Sequence, residues 1–148
     1  MPEVVPAGNA LAIPASPDDV DVMARTIWGE ARSEPIEGRT AVAWVIRNRA
    51  ASGFAGMLSG KDGAVAHVCQ AAYQFSCWLE SDPNRAKIDA LVRDDYADDY
   101  DLAQDVLEGI VPDPTGGAVN YYSPSIAAPY WTSSMKFVGR FGSQLFYK

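Results

Sequence analysis

The sequence has few of the residues that bind metals or act as strong nucleophiles. Among its 148 residues there are two cysteines, Cys69 and Cys77, and one histidine, His67. A zinc site of Cys and His ligands usually needs about four of them at close spacing. We therefore expect no metal site and no cofactor, and a Ser-His-Asp triad would depend on His67 alone. The sequence leaves open whether the two cysteines form a disulfide or remain thiols.

Basic residues are also scarce. Twelve Lys and Arg stand against nineteen Asp and Glu, which gives a net charge of −7. This charge repels phosphate backbones and anionic lipids, so we expect no nucleic-acid partner. No apolar run approaches the ~20 residues of a membrane span, so we expect no membrane insertion. The first sixteen residues lack a basic region and contain three prolines, which predicts a flexible arm over 1–16 and no signal peptide. The length then predicts one domain over 17–148.

Helical patterns dominate the first two thirds of the chain. Ser16 and Pro17 are typical of a helix start, and Pro35 disfavours helical geometry at the residue before it, so a first helix should end near Ala31–Ser33. Glu30 then lies in the last turn, beside the apolar stripe, where the helix dipole favours its neutral form. Further helices are predicted at 37–51, 64–69, from Pro83, and at 98–109, although the AVAWVI run in the second could also form a strand.

The remainder of the chain predicts a small β element. The segments 118–123, 136–141 and 145–147 have strand patterns, and 74–78 is expected to be a loop or a short strand. We therefore expect an α+β fold, mainly helical with a small C-terminal sheet.

Aromatic residues cluster in the expected loops, next to polar side chains. Such rings suit the C–H faces of sugars, although each of them could equally be part of the core. The cluster comprises Tyr73, Trp78, Tyr121, Tyr122, Tyr130 and Trp131, with the polar neighbours Gln74, Ser76, Asn120 and Ser123.

Four sequence blocks, in the same order, resemble one known family. The segment ARTIWGEARSEPIEGRTAVAWVIRNRA, residues 24–50, is similar to the opening motif of the spore-cortex-lytic and cell-wall hydrolase family (SleB/CwlJ type). The later blocks are Gln74-Phe75-Ser76, then DPTGGA at 113–118 with Tyr121-Tyr122, and finally Val138-Gly139 with Phe146-Tyr147. Together the blocks extend over about 20–148.

This resemblance implies a lysozyme-like fold and cleavage of peptidoglycan glycan strands between N-acetylmuramic acid and N-acetylglucosamine. It makes Glu30 the catalytic acid, a role that needs a carboxyl still protonated near neutral pH. Glu34 is the rival glutamate; it could contact the substrate, pair with Arg32 or Arg49, or cap the second helix. The residues expected to bind the strand are Glu34, Gln74, Phe75, Ser76, Asn120, Tyr121 and Tyr122.

The sequence shows no second acid with a motif of its own. Hydrolases that retain or invert configuration use a carboxylate pair about 5–10 Å apart, whereas a lytic transglycosylase needs one glutamate and the muramic C6 hydroxyl. The pattern mildly favours the single-glutamate route and leaves hydrolysis open. The chain also departs from the family's closing block, because Gln144 stands where a histidine is usual.

Two other functions fit the same residues less well. The protein could be a peptidoglycan-binding module without turnover, in which the aromatic residues matter and Glu30 does not. It could also be an amidase or peptidase acting on the peptide stem, although the sequence offers neither a metal-ligand set nor a nucleophile motif for that chemistry. For the enzyme we expect a monomer of the phage endolysin type, held in the host cytoplasm until it is released to the cell wall. The alternatives are a role in bacterial sporulation or cell-wall remodelling, or an origin as part of a secreted protein.

Overall fold

The computed structural model describes residues 11–71 and 74–148. Five α-helices precede a small sheet, with bounds α1 Pro17–Ala31, α2 Ile36–Ser52, α3 Ala64–Gln70, α4 Pro83–Ala90 and α5 Ala97–Leu107. The strands are β1 Asn120–Tyr122, β2 Phe137–Phe141 and β3 Gln144–Tyr147. Short 3₁₀ helices occupy Phe54–Gly56, Ser76–Trp78, Arg93–Asp95 and Tyr130–Ser134. The segment 74–78 therefore contains a 3₁₀ turn and no strand.

Helix α1 begins where its capping residues predict. The Ser16 hydroxyl accepts from the Asp19 amide at 3.1 Å, and the Asp19 carboxylate accepts from the Ser16 amide at 2.8 Å. The same buried carboxylate accepts from the amides of Gly63 at 2.8 Å and Ala66 at 2.9 Å. Asp19 therefore joins the start of α1 to the start of α3, and hydrogen bonds to the ionised carboxylate lower its pKa although burial opposes them.

Helix α2 lies in the centre of the core. The AVAWVI run is helical, and its six side chains are all buried. Because α2 is enclosed, its buried arginines, Arg47 and Arg49, must bond to protein groups. Arg47 donates to the carbonyl of Val106 at 2.7 Å and also to that of Leu11.

Part of the predicted N-terminal arm is attached to the helices. The Ile13 amide donates to the Leu107 carbonyl at 3.1 Å, in addition to the bond between Arg47 and Leu11. Residues 11–16 are therefore held by specific bonds and are not loose. Residues 1–10 lie outside the described residues, and the flexible arm there, like the domain boundary at residue 16, stays a prediction.

The sheet has the order β1-β3-β2, with both pairings antiparallel. Phe146 of β3 is fully buried, and its ring contacts those of Tyr121 at 5.2 Å and Phe141 at 5.4 Å between centroids. This aromatic cluster anchors the sheet on the helices.

Both cysteines are free thiols buried in the core. Burial raises the pKa of Cys69 to about 12 and also raises that of Cys77, so both are neutral and unreactive. In the part of the chain that the structure describes, no group of three or more His, Cys, Asp or Glu residues could hold a metal ion. Within the same residues, no helix is long and apolar enough to cross a membrane.

Candidate active site

Glu30 lies in the last turn of α1, as the sequence predicts, with its side chain half-buried. The preceding residue allows another segment to approach closely. A Cβ atom at Gly29 would lie 2.9 Å from Cβ of Cys77 and 3.2 Å from a methyl carbon of Ile88. Only glycine fits there, and the 3₁₀ turn Ser76–Trp78 consequently packs directly against the helix end that carries Glu30.

The carboxyl of Glu30 has a strongly shifted proton affinity. Burial raises its pKa from 4.5 to about 7, and the negative charge of Asp82 adds to the rise. The backbone of Cys77 and Ser76 and the positive charge of Arg49 act in the opposite direction. Near neutral pH a substantial fraction of this carboxyl is protonated, which is the state that a general acid requires.

Arg49, near the end of α2, connects three segments around this carboxyl. Its Nε donates to the Val119 carbonyl at 2.7 Å, Nη1 to Oε1 of Gln74 at 3.3 Å, and Nη2 to Oδ1 of Asn120 at 2.9 Å. The residue is only 6% exposed. One buried cation thus fixes the positions of two side chains, Gln74 and Asn120, that the sequence predicts to bind substrate.

Aromatic rings flank the same guanidinium. Its central carbon lies 4.7 Å from the ring centroid of Phe54 and 5.1 Å from that of Phe75. These contacts compensate in part for burying the charge, and that burial lowers the pKa of Arg49. Phe75 is buried, so it supports Arg49 from below, whereas the neighbouring Ser76 is exposed.

A groove of about 610 Å³ opens over Arg49. Its volume lies within the ~300–1,000 Å³ usual for ligand sites. The groove is lined by Arg49, Phe54, Ala55, Gln74, Asn120, Tyr121, Tyr130 and Trp131. Glu30 is not among these lining residues, but two of them, Arg49 and Tyr121, lie within electrostatic reach of its carboxyl.

Tyr121 forms the wall next to Glu30. Burial raises its pKa well above the usual value, and the charge of Glu30 adds to the rise. Its hydroxyl therefore stays protonated. Tyr122 does not line the groove, but its ring forms a T-shaped contact with that of Trp131, with 5.9 Å between ring centroids.

The Asp-Pro-Thr-Gly-Gly block forms the loop before β1, and hydrogen bonds to Asp113 hold that loop in place. Asp113 accepts from the amides of Thr115 at 2.8 Å and Gly117 at 2.9 Å, and from Nδ2 of Asn48 at 3.0 Å. Asn48 also donates to the Ala118 carbonyl at 2.9 Å. The neighbours Asn48 and Arg49 together hold the chain that enters β1, which carries Asn120 and Tyr121 to the groove.

Glu34 lies in the α1–α2 connection and contacts the β2–β3 turn. Its carboxylate accepts from the Ser143 amide at 3.1 Å and from the Ser143 hydroxyl. The expected alternatives of an ion pair with Arg32 or Arg49 are wrong, because that carboxylate makes no ion pair in the described residues. Capping of α2 is also wrong, since the N-cap is Pro35 without a side-chain hydrogen bond. Glu34 is not part of the groove lining, and its contact with substrate stays a prediction.

Two residues near the acid were missed in the sequence. Asp82 is the N-cap of α4 and accepts from the Asn84 amide at 2.8 Å, yet its charge also reaches Glu30. In the sequence, the position of Asp82 before Pro83 indicates only a helix N-cap. Arg49 follows Asn48 in the opening block, and a buried arginine in an apolar helix is the signal that could have identified it. Of the other residues that drew attention, His67 is exposed on α3, and Tyr73 lies outside the described residues.

Comparisons with known proteins identify the family. The family model described as cell wall hydrolase matches residues 33–147. The chain belongs to the cell wall hydrolase family. This membership confirms the family and the enzyme class that the four sequence blocks predict.

Curated relatives of this cell wall hydrolase include two spore cortex-lytic enzymes. The enzyme of Halalkalibacterium halodurans is 33% identical over 144 residues, which covers 96% of this chain and 36% of the relative. The enzyme of Oceanobacillus iheyensis is 32% identical over 134 residues, which covers 90% of this chain and 42% of the relative. The chain thus spans about two fifths of the length of these relatives.

Solved structures agree with this assignment. The catalytic domain of the Bacillus cereus SleB protein superposes with a TM-score of 0.70 at 26% identity, covering 93% of this chain and 95% of that one. The catalytic domain of the germination-specific lytic transglycosylase SleB from Bacillus anthracis superposes with a TM-score of 0.63 at 27% identity. This match covers 97% of this chain and 100% of that one. The likeness confirms the expected helical fold with a small C-terminal sheet.

Proposed function

We propose that this cell wall hydrolase is a peptidoglycan glycosidase that cleaves the bond between N-acetylmuramic acid and N-acetylglucosamine. The single observation that carries the proposal is the Glu30 carboxyl, whose pKa is raised to about 7 and which lies within electrostatic reach of two groove residues, Arg49 and Tyr121. Protonation of the glycosidic oxygen is the step that requires such an acid.

Of the residues predicted to bind the strand, some line the groove and others do not: Gln74, Asn120 and Tyr121 line it, whereas Phe75, Ser76 and Tyr122 do not. Gln74 and Asn120, held by Arg49, offer hydrogen-bonding groups to the hydroxyl and acetamido groups of the strand. Phe75 acts through Arg49, Ser76 lies on the exposed side of the turn, and Tyr122 supports Trp131. Tyr121 presents a neutral phenol beside the acid.

We propose the lytic transglycosylase route, which uses one carboxyl twice. Glu30 donates its proton to the bridging oxygen, and the bond from C1 of the muramic residue to that oxygen breaks. The C6 hydroxyl of the same residue then forms a bond to C1, and its proton returns to Glu30. The product is a 1,6-anhydro sugar and no water is consumed. In hydrolysis by a muramidase route, water takes the place of the C6 hydroxyl at C1, and a second carboxylate takes part.

Asp82 does not act as the nucleophile in this scheme. It is already engaged as the N-cap of α4. Its function toward Glu30 is electrostatic, because a second negative charge nearby disfavours ionisation of the acid.

The test uses purified peptidoglycan, with wild type and Glu30→Gln side by side and Glu37→Gln as the matched control. Glu37 is an exposed glutamate in the first turn of α2. We expect Glu30→Gln to remain folded and to lose at least ~100-fold in rate, the lower end of general-acid contributions, while Glu37→Gln stays active. Mass spectrometry of the fragments separates anhydro ends from reducing ends. A fully active Glu30→Gln variant would overturn the assignment of Glu30 as the acid. Release of peptides with the glycan left intact would overturn the assignment of the protein as a glycosidase.

The biological setting stays a prediction. A phage endolysin released from the host cytoplasm should lyse cells on expression only when the cytoplasmic membrane is permeabilised. Sedimentation of the purified protein tests the expected monomer.

A further inference from the structure

Two aromatic residues line the groove beyond the residues placed near the bond to be cleaved. Tyr130 and Trp131 are the first residues of the 3₁₀ helix Tyr130–Ser134. Tyr130 is 91% exposed, although it is a large aromatic side chain. The charges that shift the pKa of Glu30 are those of Asp82 and Arg49, whereas the rings that contact Trp131 are Tyr122 and Tyr147 of the sheet.

The turn that carries these rings is held by hydrogen bonds of its own side chains. Three hydroxyl groups donate to backbone carbonyls three residues earlier: Thr132 to Pro129 at 2.8 Å, Ser133 to Tyr130 at 3.0 Å, and Ser134 to Trp131 at 3.1 Å. These bonds favour one conformation of residues 129–134 in the free protein, which lowers the entropy cost of binding.

Trp131 is further held by the sheet. Its ring contacts the edges of Tyr122 and Tyr147, at 5.9 Å and 5.3 Å between centroids and near-perpendicular angles of 83° and 82°. Tyr122 and Tyr147 stack on each other at 6.0 Å. Tyr130 and Trp131 thus form a preorganised aromatic surface that continues from Asn120 and Tyr121 along the groove.

Exposed aromatic surface on a hydrogen-bonded turn marks a binding site when it continues a polar groove. The net charge of −7 makes an anionic lipid surface a poor partner. A sugar ring fits the chemistry, because its C–H face can lie on an aromatic ring while its hydroxyl and acetamido groups meet side chains such as Asn120.

We propose that Tyr130 and Trp131 form a separate sugar-binding subsite, which stacks on an N-acetylhexosamine ring of the glycan strand away from the bond that is cleaved. This inference rests on the proposed function, since it takes the glycan strand as the substrate. It makes the protein prefer strands long enough to occupy both Glu30 and this subsite.

The experiment compares Tyr130→Ala, Tyr130→Phe and Ile126→Ala. Ile126 is an exposed apolar residue, 59% accessible, near the same turn and absent from the groove lining, so its removal is the matched control. The substrates are glycan strands stripped of peptide, in a long and a short length class, with KM and kcat measured separately.

We expect Tyr130→Ala to raise KM for long strands by about 3- to 10-fold, the range of one aromatic contact. The rise for short strands should be smaller, kcat should change little, and Tyr130→Phe should restore most of the loss because it keeps the ring. Ile126→Ala should match wild type. An unchanged KM for long strands, or an equal rise for both lengths, would overturn the subsite.

Binding in the Glu30→Gln background separates this inference from the proposed function. Calorimetry with long strands should show weaker binding when Tyr130→Ala is added, even if the wild-type protein proves not to cleave glycan. Isolated peptide stems should bind equally with and without Tyr130→Ala; weaker binding of the stems would instead assign this surface to peptide and overturn the proposal.

Discussion

Arg49 donates from Nη2 to Oδ1 of Asn120 at 2.9 Å, and this bond joins the end of the central helix α2 to the first residue of β1. The same guanidinium reaches Gln74 and the Val119 carbonyl. The groove therefore depends on one buried cation, which contacts both of its polar side chains and lies within electrostatic reach of Glu30.

Replacement of Arg49 should impair activity in two distinguishable ways. Arg49→Lys keeps the charge but cannot reach three acceptors with one ammonium group, so we expect a loss of about 10- to 100-fold in kcat/KM, equivalent to one or two buried hydrogen bonds. Arg49→Gln also removes the charge that lowers the pKa of Glu30, so that pKa should rise. The pH–rate profile of Arg49→Gln should therefore extend to higher pH than that of Arg49→Lys.

The control for these variants is Arg140→Gln, at an exposed position of β2. Thermal unfolding at one pH verifies that each variant is folded. Identical pH profiles for Arg49→Gln and Arg49→Lys would contradict electrostatic coupling between Arg49 and Glu30.

Activity should depend on the proton of Glu30. Because the pKa is about 7 and the acid form is required, kcat/KM should fall as the pH rises through about 7. Asp82→Asn removes a negative charge that raises this pKa, so the fall should occur at lower pH. Asparagine still accepts at a helix N-cap, so α4 should keep its start. The exposed Asp101→Asn on α5 is the matched control, and a profile for Asp82→Asn that superposes on wild type would refute the effect of Asp82.

Glu30→Gln should make the protein more stable in alkaline solution. The folded pKa of about 7 exceeds the reference value of 4.5, so the native state binds more protons between these values and its stability falls as the pH rises. At about 1.4 kcal/mol per pH unit, the loss above pH 7 is of the order of 3 kcal/mol, and glutamine avoids it. We expect Glu30→Gln to melt several degrees higher than wild type at pH 8 and at nearly the same temperature at pH 4. Calorimetric melting at both pH values measures this; Glu37→Gln should show no such pH-dependent gain, and a Glu30→Gln protein less stable at pH 8 would count against a buried acid.

The contact between Glu34 and Ser143 should be structural. Glu34→Gln and Ser143→Ala should each lower the free energy of unfolding by about 1 kcal/mol, and the double variant should lose less than the sum, because both break one interaction. Denaturant titration of the four proteins gives the coupling. Both variants should have the same KM as the wild type. A rise in KM for Glu34→Gln alone would support the substrate contact expected from the sequence.

The helical part of the fold was predictable because its boundaries are local. Ser16 and Asp19 cap α1 through their own backbone, and Pro35 enforces the break before α2. The position of Glu30 in the last turn of α1 could also be predicted, since both ends of that helix are marked in a short segment. A local pattern does not show where pairing stops, and for this reason β1 was predicted too long. The segment 118–123 has a strand pattern, but only 120–122 pair with β3.

Arg49 and Asp82 could not be identified in this way because their roles depend on distant partners. Arg49 bonds to residues 25 and 71 positions further along the chain. Asp82 influences Glu30 from another helix. For Glu34 the sequence left open a substrate contact, a pairing with Arg32 or Arg49, and a cap of α2, whereas the structure brings Ser143 to it from 109 residues away.

The strand order β1-β3-β2 has a consequence for biosynthesis. β1 and β2 each pair with β3 and not with one another, so neither has its partner until residues 144–147 have left the ribosome. The helices can assemble earlier, but Asn120 and Tyr121 acquire their place only then. A nascent chain that stalls before residue 144 would carry Glu30 on its helix but lack the strand that pairs with Asn120 and Tyr121.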